Sequence, residues 1–156
     1  MRRSLLVCLT LAAAALTGCT AEIHLYPVKG PLVATTPPPV LNAKLTAHPP
    51  RSLSVMLALA DGEKVTGSLY VTLPTPKEPL PPTVPLAMTT DWDAVYGHGT
   101  YVAHVLGQGQ DARGKLIGEH GTTVNMEIHY IPGGPPLIGV AEDNKGNIYK
   151  VTVDRG

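Results

Sequence analysis

The sequence predicts a small all-β fold, either an antiparallel sandwich or a barrel of about seven strands. Glycine and proline are abundant, with 16 of each, phenylalanine is absent, and only 15% of the residues are charged. Such a composition favours short strands and turns over long helices. From residue 52 onward, apolar runs alternate with stretches rich in glycine or proline, which is the spacing expected of strands joined by turns.

The first part of this predicted domain is a hairpin followed by a loop. Residues 52–73 contain two apolar runs separated by Asp61-Gly62, a dipeptide typical of tight hairpin turns. Residues 73–85 are rich in proline, which cannot donate backbone hydrogen bonds to a sheet, so we expect a long loop there. Residues 89–96 predict a short helical turn with Thr90 as its N-cap.

The carboxy-terminal half predicts the remaining strands. Val124, Met126 and Ile128 alternate with polar residues, which is the two-residue period of a strand with one buried face. A turn is expected at residues 144–147, where Asn and Gly cluster. The strands predicted in this half are residues 100–106, 115–119, 122–131, 137–141 and 148–153.

The start of the chain has the layout of a secretory signal peptide. Arg2 and Arg3 precede an apolar run at residues 5–16, and small residues follow it. As a helix, this run of about twelve residues would reach roughly 18 Å, which is short of the ~30 Å hydrocarbon core of a bilayer. The run therefore predicts export rather than a permanent membrane span. The Arg2-Arg3 pair does not complete a twin-arginine motif, so we expect general secretion.

The end of this segment, Leu16-Thr17-Gly18-Cys19, resembles the lipobox of bacterial lipoproteins. In that family the cysteine thiol is diacylglycerylated, cleavage occurs just before the cysteine, and the new amino terminus is usually acylated. The resemblance implies that Cys19 is the lipidated residue and that the protein is anchored to a membrane through its acyl chains. The alternative is an ordinary cleaved signal peptide that happens to contain a cysteine. Because Thr20 replaces the aspartate typical of inner-membrane retention, we expect the outer membrane, facing the periplasm.

These observations divide the chain into three parts. Residues 1–18 are the predicted signal peptide, residues 19–51 a lipidated cysteine with a proline-rich tether, and residues 52–156 the antiparallel β domain. At about 3.1 Å per residue, an extended tether of some thirty residues could lift the domain ~90 Å from the membrane. An alternative for residues 22–28 is an edge strand of the domain, because Ile23 and Leu25 alternate with their neighbours.

Residues 114–153 resemble the glycine-punctuated β segments of small uncharacterised β-rich envelope lipoproteins, a resemblance that supports fold and location without implying an activity. We therefore predict a non-enzymatic binding or structural module that uses no cofactor and docks on an envelope protein through a sheet edge or a loop face. Twelve basic and twelve acidic residues balance each other, and without a dense basic patch we expect no nucleic-acid partner.

One motif could suggest an enzyme. Residues 97–107 begin Gly-His-Gly-Thr, which is similar to the histidine segment of subtilisin-like serine proteases. That chemistry also requires a nucleophile and an orienting acid. Asp91 and Asp93 lie too close to His98 in the chain to match the family, and no serine follows Ser68. We therefore reject a protease and interpret residues 97–107 as a turn and a strand.

A metal-binding envelope protein is the alternative function. Its ligands would be His98, His104, His120 and His129, supplemented by Asp91, Asp93, Glu119 or Glu127. No pair of these histidines has tight ligand spacing, so the sequence predicts no specific metal site. The seven aromatic residues could form a binding platform, but in a chain without phenylalanine we expect them to fill the core instead.

Overall fold

The computed structural model describes residues 19–73, 78–105 and 109–153, apart from the side chain of His104. Eight antiparallel strands form a closed barrel in which each strand pairs with the next along the chain and β1 pairs with β8. The strands are β1 (Thr20–Lys29), β2 (Leu41–His48), β3 (Ser52–Ala58), β4 (Lys64–Leu73), β5 (Gln110–Gly118), β6 (Thr123–Tyr130), β7 (Ile138–Asp143) and β8 (Ile148–Val153).

This architecture confirms the predicted all-β fold and selects the barrel over the sandwich, with eight strands where about seven were expected. The hairpin turns expected at Asp61-Gly62 and at residues 144–147 lie between β3 and β4 and between β7 and β8. Because the barrel is closed, both sides of every strand are paired. The described barrel therefore has no free sheet edge of the kind predicted for docking on an envelope protein.

The barrel interior is filled by the side chains that alternate inward along each strand. On β6, Val124, Met126 and Ile128 are at most 2% exposed, as their alternation predicts. The same two-residue period places apolar side chains inward on the remaining strands of the barrel. The buried core that results contains Ile23, Leu25, Leu41, Ala43, Leu45, Val55, Leu57, Leu59, Val65, Leu69, Ala112, Leu116, Val124, Met126, Ile128, Ala141, Tyr149 and Val151.

The predicted tether is wrong, because residues 19–51 contain β1 and β2. Ile23 and Leu25 on β1 pack in the core, and Ile23 pairs in register with Ala43 of β2. The many prolines of this segment lie mainly between the strands, and Pro27 lies where the register of β1 with β8 shifts. The domain boundary expected at residue 52 is therefore corrected, and the strand considered at residues 22–28 is present. The predicted signal peptide, residues 1–18, lies outside the described residues.

Residues 78–105 are here called the covering segment, because their part from Ala87 to Val105 packs on the outer wall of β6, β7 and β8. The predicted helix is present as α1 (Thr89–Tyr96), but its N-cap is Met88 and not Thr90. The strand predicted at residues 100–106 is wrong in its described part, since Tyr101–Val105 forms a π-helical turn. Tyr101 and Val105 are both buried against Trp92 and Val140, so tertiary packing overrides the local β preference of this run. No helix within the described ranges is long and apolar enough to span a bilayer.

Candidate functional site

Within residues 19–73, 78–105 and 109–153, the barrel is open at the end where β1, β3, β5 and β7 begin and β2, β4, β6 and β8 finish. A cavity of about 460 Å³ lies there. This volume falls within the range of small-molecule sites, roughly 300 to 1,000 Å³. The cavity is lined by Cys19, Thr20, Ala21, Leu45, Ala47, Pro49, Pro50, Ser52, Leu53, Val71, Gln110, Ala112, Ile128, Tyr130 and Leu137.

The depth of this cavity is apolar because its lining side chains are those that alternate inward near the strand ends. The register places Ala47 of β2 opposite Leu53 of β3, and Ala112 of β5 opposite Ile128 of β6. Ala112 and Ile128 are nearly inaccessible, whereas Ala47 and Leu53 are half-buried. The small side chain of alanine at two of these four positions leaves space that leucine or isoleucine would fill.

The rim of the cavity carries Cys19 and several polar groups. Cys19 is exposed, and its carbonyl oxygen accepts a hydrogen bond from the Ala47 N–H at 3.0 Å. Thr20, Ser52, Gln110 and Tyr130 also line the opening and carry amide or hydroxyl groups. An apolar interior below a polar rim is suited to a ligand with an apolar chain and a polar end.

The opposite end of the barrel, the closed end, is sealed by hydrogen-bonded turns. Asp143 is buried and accepts hydrogen bonds from the N–H groups of Lys145 and Asn147, both at 2.9 Å. It also accepts from the Asn147 side-chain amide at 2.8 Å and from the Tyr149 hydroxyl at 2.7 Å. Burial, followed by the hydrogen bond to Asp143, raises the pKa of Tyr149 well above its usual value, so this hydroxyl stays protonated.

A second carboxylate at the closed end is Glu63. It accepts hydrogen bonds from the Thr122 hydroxyl at 2.5 Å and from the His120 N–H at 2.8 Å. These bonds, that of Thr122 foremost, hold the pKa of Glu63 below its usual range. Together, Glu63 and Asp143 satisfy the backbone groups of two of the turns that seal this end.

A buried polar cluster lies between the outer wall of the barrel and the covering segment. Glu127 on β6 is fully buried, and its Oε2 accepts a hydrogen bond from the Met88 N–H at 2.6 Å. Burial, followed by the neighbouring Asp111 carboxyl, raises the pKa of Glu127 to about 8, while Arg113 acts in the opposite direction. Burial and the nearby Glu127 also raise the pKa of Tyr101 to about 12.

Asp111 completes this cluster on the wall beside the open end. It is 1% exposed and accepts a hydrogen bond from the Thr72 hydroxyl at 2.8 Å. Arg113 Nε lies 3.8 Å from Asp111 Oδ2, and Asp111 pairs in register with the buried His129. Asp111 and Glu127 are both buried, and the hydrogen bond from the Met88 N–H to Glu127 attaches the covering segment to the barrel wall.

The structure separates the predicted metal ligands that it describes. His98 is almost wholly exposed beside Asp93, with Nδ1 and Oδ2 3.0 Å apart, whereas His120 lies in a turn at the closed end. His129 is buried near Asp111, and the side chain of His104 lies outside the described residues. Across the described parts of the chain, no three His, Cys, Asp or Glu side chains come together in a metal site.

The protease-like segment is also explained by local structure. Asp93 on α1 accepts hydrogen bonds from the Gly99 N–H at 3.0 Å and interacts with His98, so the acid and the histidine stabilise the turn that follows the helix. Among the aromatic residues, Trp92 stacks on Tyr96 and packs near Tyr101 in the covering segment, and Tyr149 lies in the barrel core. Tyr26 and Tyr130 are partly exposed and do not join this packing.

Sequence reasoning missed the open-end cavity, although Cys19 on its rim was the predicted lipidation residue. The cavity depends on which inward residues meet at one end of the barrel, and that requires the pairing of strands distant in sequence. Comparison of the chain with known protein families, with curated proteins and with solved structures finds no match.

Proposed function

We propose that the protein is a lipid-anchored lipoprotein of the bacterial envelope whose barrel is a non-enzymatic module that binds an apolar chain in the open-end cavity. The observation that carries this proposal is the apolar cavity with Cys19 on its rim. Its described lining contains no Asp, Glu, Lys, Arg or His side chain, so binding there depends on burial of apolar surface.

The position of the cavity also supports a ligand drawn from a membrane. The predicted anchor, Cys19, is followed directly by β1, which begins at Thr20. With no tether between anchor and barrel, lipidation of Cys19 would hold the open end at the lipid surface. The acyl chains of that surface are therefore the apolar groups closest to the cavity. We place the protein at the outer membrane, facing the periplasm.

The polar rim gives such a ligand an orientation. Gln110 and Tyr130 lie at the open ends of β5 and β6, where their amide and hydroxyl groups can hydrogen-bond the carboxylate or ester of a lipid. Below them, Val71, Ala112 and Ile128 offer only carbon atoms. A fatty acid entering tail first would match both regions.

The proposal is tested with the chain from residue 19 onward carrying Cys19→Ala, which cannot be lipidated. We expect it to bind cis-parinaric acid and palmitate to displace that probe. Ala47→Trp, which fills the cavity from β2, should weaken probe binding about tenfold, equivalent to roughly 1.4 kcal/mol. Ala58→Trp is the matched control, because Ala58 is exposed on the outer face of β3.

Two results would contradict the proposal. One is a Cys19→Ala chain that is folded by circular dichroism but binds no probe. The other is an equal loss of probe binding in Ala47→Trp and Ala58→Trp, which would locate binding outside the open end.

A further inference from the structure

We propose that, in the lipidated protein, an acyl chain carried by Cys19 itself occupies the open-end cavity, so that an external lipid must displace it. This inference rests on the proposed function, because it assigns the resident occupant of the same site. It follows from the fact that the predicted attachment point of the lipid is also part of the cavity lining.

The geometry holds that attachment point in place. The Cys19 carbonyl accepts a hydrogen bond from Ala47 N–H, and the next residue, Thr20, pairs in register with Thr46. Ala47 also lines the cavity. The backbone of Cys19 is thus fixed to β2 at the rim, and an acyl chain attached at Sγ starts beside the apolar interior.

Covalent attachment favours this occupant over any free lipid. A linked chain enters the cavity in an intramolecular step, for which short flexible linkers give effective concentrations in the millimolar range. Free fatty acids in water must reach the same site by diffusion from a far more dilute pool. An external ligand therefore competes against a chain that remains tethered beside the cavity when it is displaced.

Membrane anchoring is compatible with this arrangement. Lipoproteins with the lipobox carry two chains on the thiol and usually one on the amino terminus, and two chains suffice for stable anchoring. The transfer free energy of a methylene group from water is comparable for an apolar cavity and for a bilayer. Moving one acyl chain from the bilayer into the cavity therefore has a small free-energy cost. When the protein is away from a bilayer, the cavity shields that chain from water.

The test uses a single introduced thiol as a reporter of cavity occupancy. The chain has two cysteines, Cys8 in the predicted signal peptide and Cys19 at the lipidation position, so the mature lipidated protein has no free thiol of its own. Leu53→Cys places a thiol in the cavity lining, and Ser54→Cys places one on the outer wall of the same strand. Tyr130→Cys places one on the rim, where it reports blocking of the opening by the bilayer.

Each variant is prepared as the lipidated mature product in phosphatidylcholine vesicles and as the unlipidated Cys19→Ala chain from residue 19 onward, mixed with the same vesicles. We expect lipidation to slow the reaction of Leu53→Cys with a water-soluble maleimide about tenfold or more, consistent with an intramolecular occupant. Reaction at Ser54→Cys and Tyr130→Cys should change by much less. Palmitate should slow only Leu53→Cys in the unlipidated chain.

The outcomes separate the two proposals. If palmitate protects Leu53→Cys but lipidation does not, the self-occupancy is wrong and the binding function stands. If lipidation protects Leu53→Cys and Tyr130→Cys equally, the bilayer covers the opening and the self-occupancy is again wrong. If palmitate gives no protection to the unlipidated chain, the binding function itself fails.

Discussion

At the closed end of the barrel, Asp143 accepts four hydrogen bonds from the β7–β8 turn and from Tyr149, whereas the described lining of the open end is mainly apolar. Both ends are formed by the same eight strands, but they differ in the polarity of their side chains. Satisfied polar groups at one end make the turns rigid, and unfilled apolar space at the other leaves room for a ligand. If the proposed function is correct, the groups that stabilise the barrel and the site that binds lipid lie at opposite ends.

The largest effect is expected from Asp143→Ala at the closed end. Removing the carboxylate leaves buried N–H and hydroxyl donors without an acceptor, which we expect to lower the free energy of unfolding by about 3 kcal/mol or more. Urea unfolding followed by circular dichroism measures the change. Lys145→Ala in the same turn is the control, because its exposed pairing with Asp61 should contribute little. Equal stability of the two variants would contradict the importance assigned to Asp143.

The next effect is a pH dependence beside the open end. The pKa of Glu127 is raised from 4.5 to about 8 by burial and by Asp111. The folded state therefore holds the Glu127 proton more tightly than the unfolded state, and the contribution of Glu127 to stability is fully present below pH 4.5 and is lost as the pH rises towards 8. We expect a loss on the order of a few kcal/mol over this range.

Glu127→Gln tests this dependence, since the amide oxygen can still accept the Met88 N–H while carrying no titrating proton. Its unfolding free energy should vary less between pH 5 and pH 8 than that of the natural chain. Identical pH profiles for the two chains would show that Glu127 does not titrate in this range.

A smaller effect of opposite sign is expected at the closed end. The pKa of Glu63 is lowered by the Thr122 hydroxyl and the His120 N–H, so its contribution is present above the unfolded pKa of about 4.5 and is lost as the pH falls. Thr122→Val removes the foremost of these bonds. We expect this variant to lose less stability than the natural chain on acidification, measured as thermal midpoints between pH 6 and pH 3. A steeper acid dependence in Thr122→Val would contradict the assignment.

The smallest effect on stability is expected at the open end. Leu53→Ala enlarges an existing cavity and should cost about 1 kcal/mol or less, whereas Leu57→Ala on the same strand empties a fully buried site and should cost roughly 2 to 5 kcal/mol. Binding should show the reverse order, with palmitate affinity reduced in Leu53→Ala and retained in Leu57→Ala. Similar stabilities of the two variants would remove the distinction between barrel centre and open end.

The sequence contained most of the information about local structure. The alternation of Val124, Met126 and Ile128 and the turn residues at 61–62 and 144–147 correctly predicted strands and hairpins. β2 was missed, and β1 was kept only as an alternative at residues 22–28, because the prolines between these strands dominate the local composition. The run at 100–106 was misassigned because Tyr101 and Val105, which favour strands locally, pack with Trp92 in a π-helical turn.

The sites could not be predicted in the same way, because they depend on contacts between distant elements. Alternation alone places Glu127 and His129 on the solvent face of β6, yet both are buried in the structure, Glu127 beside Met88 of the covering segment. The open-end cavity likewise exists because Ala47, Leu53 and Ala112 from three strands meet at one end. The two-residue period indicates on which face of a strand a side chain lies. It does not indicate which other part of the chain packs on that face.

The pairing of β1 with β8 also determines where foreign sequence can be attached. These strands run antiparallel, with Ile23 opposite Val153, so β8 ends on the side of the opening and the proposed anchor. An affinity tag or fluorescent protein fused to the carboxy terminus would therefore emerge beside the lipid surface and obstruct entry. Insertion into the exposed turn around Gly121, at the far pole of the molecule, leaves that approach clear.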